Sequence, residues 1–190
     1  MFVNSYPFLF NITMTEKQLE HDMLMQFIID DCYVNTKKSL EYPPVALSFG
    51  EKLIKSKTGD SLLPIPIGTY GNFSFVQAPP KVGKSFFTSL ISSAYQGGQN
   101  KFTGKLKGHR KGRNILHFDT EQGRFHAQKL FRRPIIMNGL QEDDKYYTYA
   151  LRNMSPADRI GFIDYVLEDI LDSKNIGLII IDGVADLVTD

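Results

Sequence analysis

Lys84 and Ser85 follow directly on Gly83 in the run QAPPKVGKSFF, and two apolar segments run into carboxylates: HFDTEQG carries Asp119 and Glu121, and LIIIDG carries Asp182. An ammonium and a hydroxyl beside a glycine turn suit a polyanion. Backbone N–H groups from Lys81 to Ser85 are spaced to wrap a β-phosphate, the Lys84 ammonium to reach β- and γ-phosphate oxygens, and the Ser85 hydroxyl to complete a Mg²⁺ shell. A carboxylate at Asp182 can hold a water of that shell. One at Glu121 can accept a proton from, or orient, the water that attacks the γ-phosphate. Whether Asp119 or Glu121 faces the ligand depends on how far the strand runs, and Glu121 is the expected choice. The plainer alternatives are a turn cap at Asp182 and a solvated side chain at Glu121.

A loop of the GxxxxGK(S/T) kind works only between a strand and a helix, because its N–H groups must converge at a helix N-terminus. FSFVQ, residues 73–77, predicts a short buried strand, and SFFTSLISSAY predicts a helix stopped by Gly97 and Gly98. Between them the candidate phosphate loop comprises Ala78, Pro79, Pro80, Lys81, Val82, Gly83, Lys84 and Ser85, with Phe86 beside it. Ala78 stands where the pattern has glycine. A Cβ is tolerated there if φ is negative, and Pro79 biases Ala78 toward extended backbone.

Further strands are expected at NILHFD, YYTYA and GLIIID, separated by helical stretches. Ser155 and Pro156 fit the N-cap and first position of a helix whose Ile160, Ile163, Leu167, Ile170 and Leu171 form one apolar face. Strands alternating with helices predict an α/β fold, a parallel sheet flanked by helices. Before it, residues 33–71 carry Pro and Gly punctuation and read as a linker and a small β-rich lead-in. Thr15 and Gln18 make a capping box for an amphipathic helix over residues 16–31, and Met14 is a possible true start of the chain. The expected organisation is a helix and linker over 1–42 and the main domain over 43–190.

The chain has 190 residues, 42% hydrophobic and 23% charged, with a net charge of +1. That is ordinary globular composition, and it gives no overall electrostatic reason for a nucleic-acid or membrane partner. The apolar start is too short to span a bilayer and lacks a basic flank, so no membrane association is expected. The single cysteine, Cys32, excludes an internal disulfide and reads as a small half-buried hydrophobe in a reducing cytoplasm. KFTGKLKGHRKGR, residues 101–113, is basic without an acid and holds one aromatic, which is too little for base stacking; it reads as a flexible, solvated connection. Arg132 and Arg133 suit either a helix C-terminus or a neighbouring subunit. His21, His109, His117 and His126 lack metal-ligand spacing and are expected to be structural or solvated.

APPKVGKS, ILHFDTEQG and LIIIDGVADL, in this order and at these separations, resemble the RecA-type P-loop ATPase core, including the hexameric helicases related to DnaB and RepA. With PIPIGTYGNFSF before the loop, residues 43–190 resemble the RepA-like ATPases of mobilizable transposons, the BfmC or TnpC group. The resemblance implies ATP and Mg²⁺ as cofactors, Lys84 and Glu121 in catalysis, and Ser85 and Asp182 at the metal. It also implies DNA as a partner and a homo-hexameric ring in which a neighbour supplies an arginine. Such cores continue beyond the Asp182 strand, so this one is expected to be truncated after the Walker B strand, with residues 73–77 as an exposed edge. Two rivals remain: a non-catalytic nucleotide-dependent adaptor, and a small-molecule P-loop kinase. The kinase would need an arginine-rich lid after the YYTYA strand, where only Arg152 and Arg159 lie. The partition ATPases carry an extra lysine five residues before the loop lysine, a place taken here by Pro79.

Overall fold

The structure is a computed structural model that describes residues 16–57, 59–79, 82–170 and 175–188. The expectations for residues 1–15, Pro80, Lys81 and Leu171 lie outside the described residues. The chain divides into two units, 1–42 and 43–190.

The first unit holds α1 (Glu16–Cys32). Its apolar residues are exposed, among them Leu19, Met23, Leu24, Phe27 and Ile28, and so is Cys32. The expected amphipathic character is weak in α1 itself, for a reason visible in the sequence. Met23–Leu24–Met25 and Phe27–Ile28–Ile29 are consecutive runs, which spread apolar side chains around a helix instead of along one face.

In the second unit β1 (Val45–Ile54) pairs antiparallel with β2 (Ser61–Thr69) on one side and β3 (Leu106–Gly108) on the other. Pro64 and Pro66 lie on β2, which forms one edge, where a missing N–H costs no ladder bond. A second sheet is parallel, in the order β5-β4-β6, from β4 (Asn114–Asp119), β5 (Tyr146–Ala150) and β6 (Ile176–Asp182). Its helices are α2 (Lys84–Gly97), α3 (Arg124–Met137) and α4 (Pro156–Tyr165), the last continuing as a π-turn over Val166–Ile170. A 3₁₀ turn, Val184–Leu187, follows β6.

Central β4 is buried along its whole length, and its alternation divides two packing layers. Leu116 and Phe118 join Leu151, Ile163 and Val166. Ile115 joins Ala46, Tyr95 and Tyr146, and His117 meets Phe131 edge-on with ring centroids 4.9 Å apart. Asp119 closes β4 in register with Asp182 of β6, so both carboxylates reach the C-terminal edge of the sheet together. Along α4 and its π-turn the inward positions are Phe162, Ile163, Val166 and Leu167, so Ile163 and Leu167 of the expected face are borne out, while Ile160 is exposed.

Two expectations are corrected. Residues 73–77 form no strand, and Phe73 and Phe75 are 88% and 75% exposed. Apolar alternation alone does not hold five residues extended without a ladder partner, and among the described residues β6 pairs with β4 only. The basic run 101–113 is not a free connection either. Its centre is β3, and Arg110 forms a 2.6 Å ion pair with Asp143 while donating to the carbonyls of Arg113 and Lys145. Although burial pushes the Asp143 carboxyl up, hydrogen bonds from Arg110 and Gln96 outweigh it and hold it below the usual range.

Candidate functional site

The α2 N-terminus opens on Gly83, whose φ of 92° and ψ of 21° are left-handed. A side chain is strained there, so glycine is what lets the chain turn into the helix at Lys84. No side chain caps this helix end and its first turn has no acid, which leaves its partial positive charge available to an anion. Lys111 alone among described non-glycine residues has positive φ, so Ala78 keeps the negative φ that its Cβ requires. Ala78 is half-buried, while Pro79, Val82, Gly83 and Phe86 are exposed.

Lys84 stands between carboxylates from two strand ends. Its Nζ is 3.3 Å from Glu121 Oε1 and 3.8 Å from Asp182 Oδ1. Ser85, next on α2, lies near enough to the Asp182 carboxyl to favour its ionised form. Lys84 and Ser85 thus meet Glu121 and Asp182, from distant parts of the sequence, at the C-terminal edge of the parallel sheet, where open α/β sheets bind ligands.

The ambiguity between Asp119 and Glu121 is resolved by hydrogen bonds. Asp119 Oδ1 accepts from the N–H of Glu121 at 3.0 Å and of Gln122 at 2.6 Å, so this carboxylate shapes its own loop. Glu121 is left projecting toward Lys84. Asp119 Oδ2 is buried without a partner. Burial raises the Asp119 carboxyl, against the two N–H bonds, and burial also raises Asp182 against the attraction of Lys84.

Asp119, Glu121 and Asp182 set three carboxylates against one ammonium. That excess of negative charge, together with the unpartnered Oδ2, fits a divalent cation. Among the described residues no group of three His, Cys, Asp or Glu side chains encloses a metal position.

The buried carboxylates make stability depend on pH. A carboxyl whose folded pKa lies above its unfolded value favours folding when protonated, so its contribution is present at acid pH and lost as pH rises through the folded value. Asp182→Asn removes that loss. The variant is expected to melt roughly 2–4 °C above wild type at pH 7.5, and by circular dichroism the gap should close near pH 4. A lower midpoint at pH 7.5 would mean that the pair with Lys84 outweighs desolvation.

Other predicted residues fall elsewhere. Arg133 reaches the start of α2, with Nη1 3.4 Å from the Ser85 carbonyl and 3.3 Å from Ser89 Oγ, and its guanidinium lies over the Phe86 ring. Arg132 lines a hollow of about 570 Å³ between α3 and β5, which none of Lys84, Glu121 and Asp182 lines. Arg159 spends its fork on three backbone carbonyls, those of Leu151, Arg152 and Asp186. His117 is buried against Tyr146 Oη at 2.8 Å, and burial lowers it to about 4. His109 Nε2 meets Ser48 Oγ at 2.9 Å. Thr120 and Asp186, which sequence reasoning missed, hydrogen-bond beside Glu121.

A parallel α/β sheet with a glycine-led helix N-terminus, a loop lysine and strand-end carboxylates defines a P-loop type of nucleotide-binding domain. The AAA domain family model matches residues 61–189, and the chain belongs to that family of nucleotide-binding P-loop ATPases. No curated protein and no solved structure matches it.

Proposed function

We propose that the chain binds MgATP at the start of α2 and hydrolyses it, with Lys84 on the β- and γ-phosphates and Glu121 activating the attacking water. The observation that carries this reading is Lys84 Nζ held between Glu121 and Asp182 at 3.3 and 3.8 Å. A lysine already at the meeting point of the strand ends needs only a small movement to exchange carboxylate for phosphate oxygens. Ser85 and Asp182 would hold Mg²⁺, which when bound would offset the negative charge of the phosphates. Residues 78–83, with Pro80 and Lys81, supply the backbone of the phosphate loop, and Phe86 flanks it.

The resemblance to RecA- and RepA-type motors supports the further proposal that this ATPase acts on DNA in the replication or mobilization of an element. It also supports a ring of copies in the cytoplasm. Among the described residues no helix is long and apolar enough to cross a membrane. The kinase alternative loses support, because Arg159 is bonded to three carbonyls and is not available as a lid arginine.

Isothermal titration of a slowly hydrolysed ATP analogue into the folded chain tests the reading. Micromolar binding that requires Mg²⁺ is expected. Absence of binding by a folded sample would overturn it.

A further inference from the structure

Glu121 follows Thr120, and Thr120 is 1% exposed in a dense set of contacts. Its backbone N–H donates to the Asp182 carbonyl at 3.1 Å, tying the end of β4 to the end of β6. Its hydroxyl has three acceptors within reach: the Asp182 carbonyl at 3.1 Å, the Gly183 carbonyl at 2.9 Å and Asp186 Oδ2 at 2.9 Å. One hydroxyl proton cannot satisfy all three, and a carboxylate is the strongest acceptor among them.

The turn that carries Asp186 is itself fixed. Gly183 begins it at φ 93°, and a Cβ there would collide with Thr120 Oγ1 and press on Glu121 Cγ, so the turn lies directly against both residues. The Asp186 N–H donates to the Gly183 carbonyl at 2.9 Å. From α4, Arg159 Nη1 donates to the Asp186 carbonyl at 2.6 Å, while its other nitrogens hold the carbonyls of Leu151 and Arg152 just past β5. Leu151 in turn donates to the Asp119 carbonyl at 2.7 Å. The ends of β4, β5 and β6 are thus joined through Thr120, Asp186 and Arg159.

We infer that Thr120 and Asp186 are positioning residues: their hydrogen bond, anchored by Arg159, fixes the backbone that aims the Glu121 carboxylate at Lys84. The inference rests on the reading of Glu121 as the water-activating group. Without the bond, the Thr120 N–H still ties β4 to the Asp182 carbonyl and the Asp119 side chain still holds the Glu121 N–H, but the tie to the Asp186 turn is gone and the carboxylate loses its fixed approach. Misplacement by about 1 Å is enough to slow chemistry without changing ligand affinity.

Thr120→Val keeps the volume and removes the hydroxyl. The expected result is a fall of about tenfold in kcat, with KM and the Kd for MgATP within about twofold, and recovery with Thr120→Ser. Asp186→Asn provides a second variant that keeps the shape of the turn. In the double variant Thr120→Val/Glu121→Gln the two losses should not multiply, because the brace acts only through Glu121. Losses that multiply, or an equal decline of binding and kcat, would reduce the bond to a general support of the fold. If Glu121→Gln slows hydrolysis and Thr120→Val does not, the inference falls while the reading of Glu121 stands. If Glu121→Gln has no effect, that reading fails first. A crystal structure of Thr120→Val decides independently of turnover: the Glu121 carboxylate should leave the reach of Lys84, and an unmoved carboxylate overturns the inference.

Discussion

Glu121→Gln is expected to lower the rate of ATP hydrolysis by about 10²–10⁴-fold, the range that a positioned general base supplies, while MgATP affinity changes by no more than about twofold. Glutamine has the same length and still offers an oxygen to Lys84 Nζ, now 3.3 Å from the carboxylate, so the lysine keeps its neighbour. What is lost is the capacity to take a proton. The effect therefore belongs in kcat, with KM nearly unchanged. Steady-state phosphate release and equilibrium binding of a fluorescent ATP analogue separate the two. Asp119 Oδ1 is held by the N–H groups of Glu121 and Gln122, so of the two β4-end carboxylates it is Glu121 that reaches Lys84. Hydrolysis at the wild-type rate with binding intact would leave Glu121 as a solvated surface carboxylate. The nucleotide-dependent adaptor would then be the better reading.

The elements that the sequence announces are those whose signals are local. β4, β5 and β6 stand where short apolar runs meet polar punctuation, and α4 begins at Ser155, whose Oγ accepts the Asp158 N–H at 3.2 Å. Lys84 at the first position of α2, and carboxylates at the ends of β4 and β6, followed from a glycine before a helix and apolar runs ending in Asp; that the two ends lie in register did not. What was not legible depends on partners distant in the chain. β3 is three residues, Leu-Lys-Gly, and only its pairing with Leu47, Ser48 and Phe49 makes it a strand. Arg110 looks like one more charge in a basic run until Asp143 is placed beside it. Residues 73–77 show the converse: strong β-type alternation, but no ladder partner, hence no strand.

The same dependence explains Asp119 and Thr120. Period-two alternation predicts which face each residue of β4 takes, but not that the Asp119 side chain turns back onto the next two N–H groups, nor that Thr120 finds a carboxylate sixty-six positions later. The candidate site was readable as a set of chemical types. Its division of labour, with Asp119 shaping the loop and Glu121 facing Lys84, became readable only from the hydrogen bonds.

Lys84→Ala is expected to weaken MgATP binding by about 10²-fold or more, since it removes charge-assisted contacts to two phosphates. Its effect on the unliganded protein distinguishes Lys84 from an ordinary surface lysine. Lys84 is the cation that offsets Asp182 and Glu121, and burial already raises Asp182 against its attraction. Without the ammonium the Asp182 carboxyl rises further. Because its folded value then lies still higher above its unfolded one, the stability present at acid pH is lost over a wider interval as pH increases. The variant should therefore melt below wild type at pH 7.5 and approach it near pH 4, and adding Asp182→Asn should restore much of the midpoint at pH 7.5 without restoring nucleotide binding. Calorimetric melting at the two pH values, paired with titration of the ATP analogue, reads both quantities on the same samples. Binding lost with no pH-dependent change in melting would confine Lys84 to the ligand. Binding retained would remove it from the phosphate site, and with it the contact on which the proposed chemistry is built.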